Sequence, residues 1–288
     1  MSSAETLTAP ATGSGSCVFR RVLLVHTAEE PEIDLLDYAA KLSAEQTTIA
    51  AYPFDGILRS MAAAARLRFE AAGSAAPVLC ALPEMDLDWI LDAAKDFDLL
   101  ILRPAAFGKR TNRQVFAKSP CHVCLVPQRT AARIQRILIG ITLDDAGHAL
   151  LEGAASLCHT VQANELLAVH CASPDPYIDW NDTQLEQFRS AHMLELYRFM
   201  ARAKLDHVSC TPVLEEAIDH ARALARVARS RSADLVVVGK PRGLAPRVAP
   251  ALAKNGSAPV IQLLLPPRKE GVRGTLKRLF PRSQPKFS

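Results

Sequence analysis

No apolar run in the 288-residue sequence approaches the roughly 20 residues that a membrane-spanning helix requires. The opening stretch, MSSAETLTAPATGSGSC, lacks both the positive segment and the apolar segment of a secretory signal. These two absences lead to the expectation of a cytoplasmic chain with a small-residue leader over residues 1–18. Catalytic signatures are missing as well. The sequence contains no HExxH, GxSxG or GxxxxGK(S/T), and its eight histidines are scattered. With no nucleophile, base and orienter in view, and no metal cluster, the expectation is a protein that is not an enzyme and carries no metal.

Disulfide chemistry is also poorly supported. Seven cysteines in a chain expected to be cytoplasmic read as reduced thiols. The one CxxC, Cys121 and Cys124, lies in the strand-like run CHVCLV, where residues three apart face opposite sides and cannot grip one metal. A redox CxxC would sit instead at a helix N-terminus, and no second CxxC completes a zinc site.

Charge is present but unevenly spread. Residues 268–288 hold seven basic residues against one acidic, which leaves 27 basic and 29 acidic residues for the body. The body is near neutral and the tail is basic. A solvated end is the plain reading of such a tail, and contact with nucleic acid or an anionic membrane is the alternative.

The sequence repeats itself. RVLLVHTAEEPEIDLLDYAAKLS (21–43) lies over RILIGITLDDAGHALLEGAASLC (136–158) without a gap, at an offset of 115. Leu35-Leu36 then meets Leu150-Leu151, and Ala39-Ala40 meets Ala154-Ala155. DLLILRP (98–104) answers DLVVVGK (234–240), and CHVCLV (121–126) answers APVIQL (258–263), at offsets of 136–137. Roughly twenty residues have therefore been added within the second half.

Each half alternates short apolar runs with helical stretches. The first predicts strands near 21–27, 46–52, 76–82, 98–103 and 121–126, and helices near 31–44, 54–72, 84–96 and 110–119. The second predicts strands near 135–142, 164–171, 207–214, 234–239 and 259–265, and helices near 145–158, 183–204, 216–231 and 247–255. Runs such as LVVV without polar alternation suit strands buried on both faces, and the strand–helix alternation predicts an α/β fold with doubly wound parallel sheets. The chain divides into the leader 1–18, a domain over 19–128, a second over 134–266 enlarged around 175–205, and the basic tail 267–288. In helix 183–204, Leu185, Phe188, His192, Leu196, Phe199 and Ala203 form one apolar stripe, expected to pack on the core.

The order of these elements resembles that of a tandem universal stress protein. The resemblance rests on VLLV…LLDYAAKL, FDLLILRP and SPCHVCLVP in the first half and RILIGIT…ALLEGAASL, ADLVVVG and APVIQLLL in the second, across about residues 20–266. It implies two tandem doubly wound five-stranded parallel sheets of strand order 3-2-1-4-5. It also implies an internal pseudo-dimer, with 121–126 near 259–265, and leaves room for homodimers of whole chains. The family contains ATP binders, which carry an Asp after the first strand and a G-x2-G-x9-G-(S/T) loop after the fourth.

This sequence departs from that pattern. Thr27 and Thr142 stand at the Asp position. Gly239 matches the loop's first glycine, Gly243 lies one residue late, and Pro246 and Arg247 replace the later pair. In the first half Arg103 replaces the first glycine, Gly108 is only a neighbour of the loop pattern, and Lys109 and Arg110 replace the later pair. The expectation is a degenerate ATP motif in both halves, no cofactor, and a stress-response or regulatory role through protein partners. The alternative is a nucleotide or other anion held by basic side chains: Arg103, Lys109, Arg110 and Arg113 in the first half, Lys240, Arg242 and Arg247 in the second. His26 and His122 read as structural. His170, near the ligand edge of its strand, is the histidine most worth locating. The acidic pairs Glu29-Glu30 and Asp144-Asp145 suit helix capping.

Overall fold

The computed structural model describes residues 19–28, 30–52, 58–82, 86–104, 108–128, 130, 133–174, 177, 179–205, 208–241, 248–255 and 258–265. The leader and the basic tail lie outside the described residues.

The first half runs β1 (Phe19–His26), α1 (Ile33–Leu42), β2 (Ser43–Ala51), α2 (Leu58–Ala71), β3 (Val78–Ala81), α3 (Leu87–Ala93) with a 3-10 turn over Ala94–Asp96, β4 (Leu99–Leu102), α4 (Gly108–Lys118) and β5 (His122–Leu125). The second runs β6 (Arg136–Ile141), α5 (Asp145–Val161), β7 (Glu165–Ala172), α6 (Asp182–Met200), β8 (Ser209–Glu216), α7 (His220–Ser230), β9 (Leu235–Pro241), α8 (Val248–Asn255) and β10 (Val260–Leu265). The ten strands form one sheet, in the order β3-β2-β1-β4-β5-β10-β9-β6-β7-β8. Each half thus has the order 3-2-1-4-5, and every pairing within a half is parallel.

The two halves join by their last strands. β5 and β10 pair antiparallel, with Cys124 opposite Ile261 and Val123 opposite Gln262. What would be two open sheet edges is closed into one continuous sheet. The repeat extends to individual hydrogen bonds. Asp98 Oδ2 accepts from the amides of Arg20 and Arg21 at 2.9 Å, and Asp234 Oδ2 accepts from those of Gln135 and Arg136 at 2.8 and 2.9 Å. In both halves the residue before the fourth strand ties down the start of the first.

Helices cover both faces. One core layer gathers α1, α2, α5 and α6, with Tyr38 and Phe199 among its buried residues, and the other gathers α3, α4, α7 and α8 around Phe116 and Leu224. Cys124 belongs to the first layer and Cys121 to the second, so the CxxC does straddle the sheet. Burial raises both thiols, Cys121 to about 11, which leaves neither as a ready thiolate.

Two elements differ from the sequence reading. α1 stops at Leu42 and β2 starts at Ser43 with no connecting residues, so the strand begins earlier than the predicted 46. α6 packs on the core over a shorter stretch than its stripe suggested. Leu196, Phe199 and Met200 are buried, whereas Leu185, Phe188 and His192 are only partly covered. Among the described residues no helix is long and apolar enough to cross a membrane.

Candidate functional site

In an open parallel sheet, ligands bind outside the carboxyl ends of the strands where the strand order reverses. Here that place falls between β1 and β4 in the first half and between β6 and β9 in the second.

In the first half, charge spans the crevice. Arg103 follows β4 directly and is 4% exposed. Its Nε donates to Glu32 Oε1 at 2.9 Å, one terminal nitrogen donates to Asp34, and the other donates to the carbonyls of Val126 (3.1 Å) and Pro127. Glu32 and Asp34 stand at the start of α1, where their charge also suits the helix dipole. Asp34 accepts from the Thr130 amide at 3.1 Å. One guanidinium thus fastens the end of β5 to the start of α1 across the end of β4. His26, the last residue of β1, lies fully buried beneath it. Its Nε2 accepts from the Glu32 amide at 3.3 Å, which assigns the ring proton of the neutral form to Nδ1. Nδ1 makes no geometrically sound hydrogen bond, nor does Glu32 Oε2. Burial lowers the His26 pKa to about 4, against the pull of the Glu30 carbonyl and with the help of Arg103.

Among the described residues the second half has no counterpart of this bridge. Leu24 pairs with Ile101 and Ile139 pairs with Val237, so Arg103 and Gly239 hold the same place two residues on. The ungapped repeat sets Glu32 against Gly147 and His26 against Ile141. A Cβ on Gly147 would stand 1.8 Å from the Thr142 carbonyl oxygen, so no side chain fits there. A Cβ on Gly239 would meet Leu265 Cδ1 at 2.6 Å and Leu150 Cδ2 at 3.1 Å. Thr142 Oγ1 donates to Asp144 Oδ1 at 2.7 Å, and the same oxygen accepts from the Gly147 amide at 2.9 Å. Asp144 therefore caps α5, as its sequence position suggested. At α1 the cap residue is Glu32, without a side-chain cap bond, and Glu29 lies outside the described residues.

The basic candidates scatter. Lys240 turns inward and is 7% exposed. Its Nζ donates to the carbonyls of Phe116 at 2.8 Å and Ala117 at 2.6 Å, at the C-terminal end of α4 in the other half. Burial pulls its pKa below the ordinary value. Arg242, Gly243 and Arg247 lie outside the described residues. Lys109 and Arg110 stand on the first turn of α4, with side chains outside the described set, and Arg113 is exposed one turn on. Thr27 is half-buried just past β1.

His122 accepts from the Leu264 amide through Nδ1 at 2.8 Å, a bond of the seam between halves. His170 Nδ1 lies 3.3 Å from the Ile141 carbonyl, and its ring centroid is 5.8 Å from that of His192 on α6. His192 lies tilted against Phe188, with centroids 4.3 Å apart, and Phe188 meets Trp180 edge to face, at 5.5 Å. Burial and the neighbouring His192 lower the His170 pKa, against the Ile141 carbonyl and Glu195. The residues that sequence reasoning missed are Glu32, Asp34 and Trp180; His170, Phe188 and His192 were named, but not as one chain of contacts. Among the described residues no group of histidine, cysteine and carboxylate side chains could hold a metal ion.

Residues 133–261 match the model of the universal stress protein family. No curated protein matches the chain. Three solved structures share its fold over nearly their whole length. A functionally unknown protein from Pseudomonas aeruginosa PAO1 is 16% identical, with a TM-score of 0.61, covering 91% of this chain and 97% of its own. A putative universal stress protein from P. aeruginosa UCBPP-PA14 is 14% identical, with a TM-score of 0.61 and coverage of 91% and 98%. A universal stress protein from Archaeoglobus fulgidus DSM 4304 is 12% identical, with a TM-score of 0.55 and coverage of 84% and 96%.

Proposed function

Since residues 133–261 match the model of the universal stress protein family and the first half repeats the strand order of the second, we propose that the chain is a stress-response or regulatory protein that works through protein contacts. In this reading it is not an enzyme, needs no cofactor, and acts as a pseudo-dimer within one chain in the cytoplasm. The observation that carries the reading is the buried Arg103–Glu32–Asp34 bridge. It occupies the one crevice of the first half where an open α/β sheet takes a ligand. A guanidinium already held by two carboxylates and two carbonyls has little capacity left for a phosphate.

A second reading is favoured by one observation: Gly147 and Gly239 stand where the bridge residues stand in the first half. Among the described residues, that leaves the second crevice without such a bridge, and an anion or nucleotide sensor built on one half would use it. The basic tail, 267–288, supports a nucleic-acid or membrane adaptor as a third reading, from charge alone.

Titration calorimetry of the full chain with ATP and Mg²⁺ tests the first reading. No saturable heat up to millimolar ATP is the expected result. Micromolar binding would replace it with the sensor reading. Repeating any observed partner capture at rising salt separates the third, since phosphate contacts weaken steeply with ionic strength.

A further inference from the structure

The C-terminal tail and the outer edge of the second half carry matching features. Residues 266–288 continue from β10, outside the described residues, and their sequence sets Val272, Leu276, Leu279 and Phe280 at i, i+4, i+7 and i+8, the spacing of one apolar helical face. Pro281 closes the stretch. Nine residues, 272–280, are too few to hold a helix alone in water, so such a stretch needs a surface.

The body offers one. Among the described residues, the large apolar side chains that the second half leaves exposed are Tyr177, Leu194, Tyr197 and Ile218, and all four lie on α6 or on the connections that follow β7 and β8. Between α6 and β8 runs a groove of about 550 Å³, floored by Met193 and Leu214. It follows α6 from Glu186 to Tyr197, about 17 Å, and a nine-residue helix is about 14 Å long.

The order of features along the groove matches the order along the tail. Asp182, Glu186 and Glu216, against Arg189 alone, stand at the mouth, where α6 starts and β8 ends. Leu194 and Tyr197 lie two to three turns deeper. In the tail, Arg268, Lys269 and Arg273 come first, and Leu276, Leu279 and Phe280 follow. The tail also starts at the right end of the sheet. Gln262, Val238, Gly140, Val169 and Val213 form one row across it. Leu265 and Glu216 each stand three residues beyond that row, so four strand spacings, about 19 Å, separate them. Leu276 is eleven residues past Leu265, which allows about 36 Å of extended chain. Entry as an added strand is disfavoured. The Ala217 amide donates to the Ala172 carbonyl at 3.1 Å, and alternation from that bond turns residue 212 of β8 outward. Residue 212 is a proline, which offers no amide to a new strand.

We infer that residues 268–280 dock in this groove of their own chain, with the basic residues at the acidic mouth and the apolar face on Met193, Leu194, Tyr197 and Leu214. A docked tail is withheld from anionic partners, and its release exposes the basic segment and the groove together. The inference goes beyond the protein-contact reading and can fail while that reading stands, because a partner could bind another surface.

Photo-crosslinking in the full chain tests it. Phe280, and in a second variant Leu276, is replaced by p-benzoylphenylalanine, the chain is irradiated at low micromolar concentration, and the products are mapped by mass spectrometry. The expected products are cross-links within one chain to residues 186–197 of α6 or 214–216 of β8. Adding Leu194→Asp, at a position 49% exposed and outside the core, should cut their yield at least about fivefold. Cross-links to the second crevice, at residues 142–147 or 239–241, would place the tail elsewhere, and covalent dimers would make the occupant a second copy. The absence of products from both positions would leave the tail to an anionic membrane or nucleic acid. Each of these results, or a yield that Leu194→Asp does not change, would overturn the inference.

Discussion

Lys240 reaches across the molecule to Phe116: its Nζ donates to that carbonyl at 2.8 Å, over a sequence separation of 124 residues. The Gln262 side chain donates to the same carbonyl at 2.9 Å. Two residues of the second half thus satisfy the C-terminal carbonyls of α4 in the first, which a helix end would otherwise leave unpaired. With the antiparallel β5–β10 pairing, this makes the seam a shared hydrogen-bonded unit rather than an apolar contact between two finished domains.

Replacing Lys240 by Met therefore acts on stability. Met retains the apolar stem but removes the ammonium and with it both hydrogen bonds, so that Phe116 keeps only the bond from Gln262 and the Ala117 carbonyl loses the one from Lys240. A loss of about 1–3 kcal/mol in urea unfolding is expected. Lys240→Met as stable as the natural chain would show that the seam does not depend on this contact. The same result bears on ligand studies, because a Lys240 variant that bound less nucleotide could do so through a loosened seam.

The Arg103 bridge makes a sharper prediction. Arg103→Leu leaves Glu32 and Asp34 half-buried without their cation, a loss of about 3–5 kcal/mol. Removing all three charges together, in Arg103→Leu/Glu32→Gln/Asp34→Asn, should recover a good part of that loss, since no lone charge remains. Thermal unfolding of the two variants compares them. A triple variant no more stable than the single one would mean that the bridge contributes through geometry, by tying β5 to α1, rather than by charge balance.

The fold was legible because its carriers are periodic and repeated. Runs such as LLIL in β4 are buried at every position, as a doubly covered strand must be, and the offset of 115 links the buried pairs Leu35-Leu36 and Leu150-Leu151. The candidate site was legible only in its backbone places. Arg103 and Lys240 were visible as basic residues after the fourth strands, but a side chain's direction depends on partners far away in sequence, 71 residues for Glu32 and 124 for Phe116. The stripe on α6 misled for a related reason: periodicity records which residues share a face, while the length of that face that is covered depends on what the neighbouring helix and strand leave free.

Among the described glycines of the second half, Gly147 leaves the least room for a side chain. Any Cβ there falls 1.8 Å from the Thr142 carbonyl oxygen, a backbone atom that cannot swing aside. Gly147→Ala must displace either the end of β6 or the first turn of α5, and with it the Asp144 cap. A cost of about 3 kcal/mol is expected, read by denaturant unfolding. A neutral substitution would mean that the turn between β6 and α5 is plastic, and the second crevice with it.

The pH dependence of stability should single out His26. Its folded pKa is about 4, below the 6.5 of the free imidazole, so the unfolded chain binds a proton at this site over a range where the folded chain does not. Stability from this group is complete above about pH 6.5, declines as pH falls from there, and levels off near pH 4, by about 3 kcal/mol in all. The cause is physical exclusion. The imidazole is fully buried beside the Arg103 guanidinium, and a proton added to it would place two cations together with Glu32 alone in reach. His26→Gln, which removes the titration, should flatten the curve between pH 6.5 and 4 relative to the natural chain, whatever its stability at neutral pH. Curves that run parallel over that interval would mean that another group, such as His170 with its own lowered pKa, sets the acid limit of the fold.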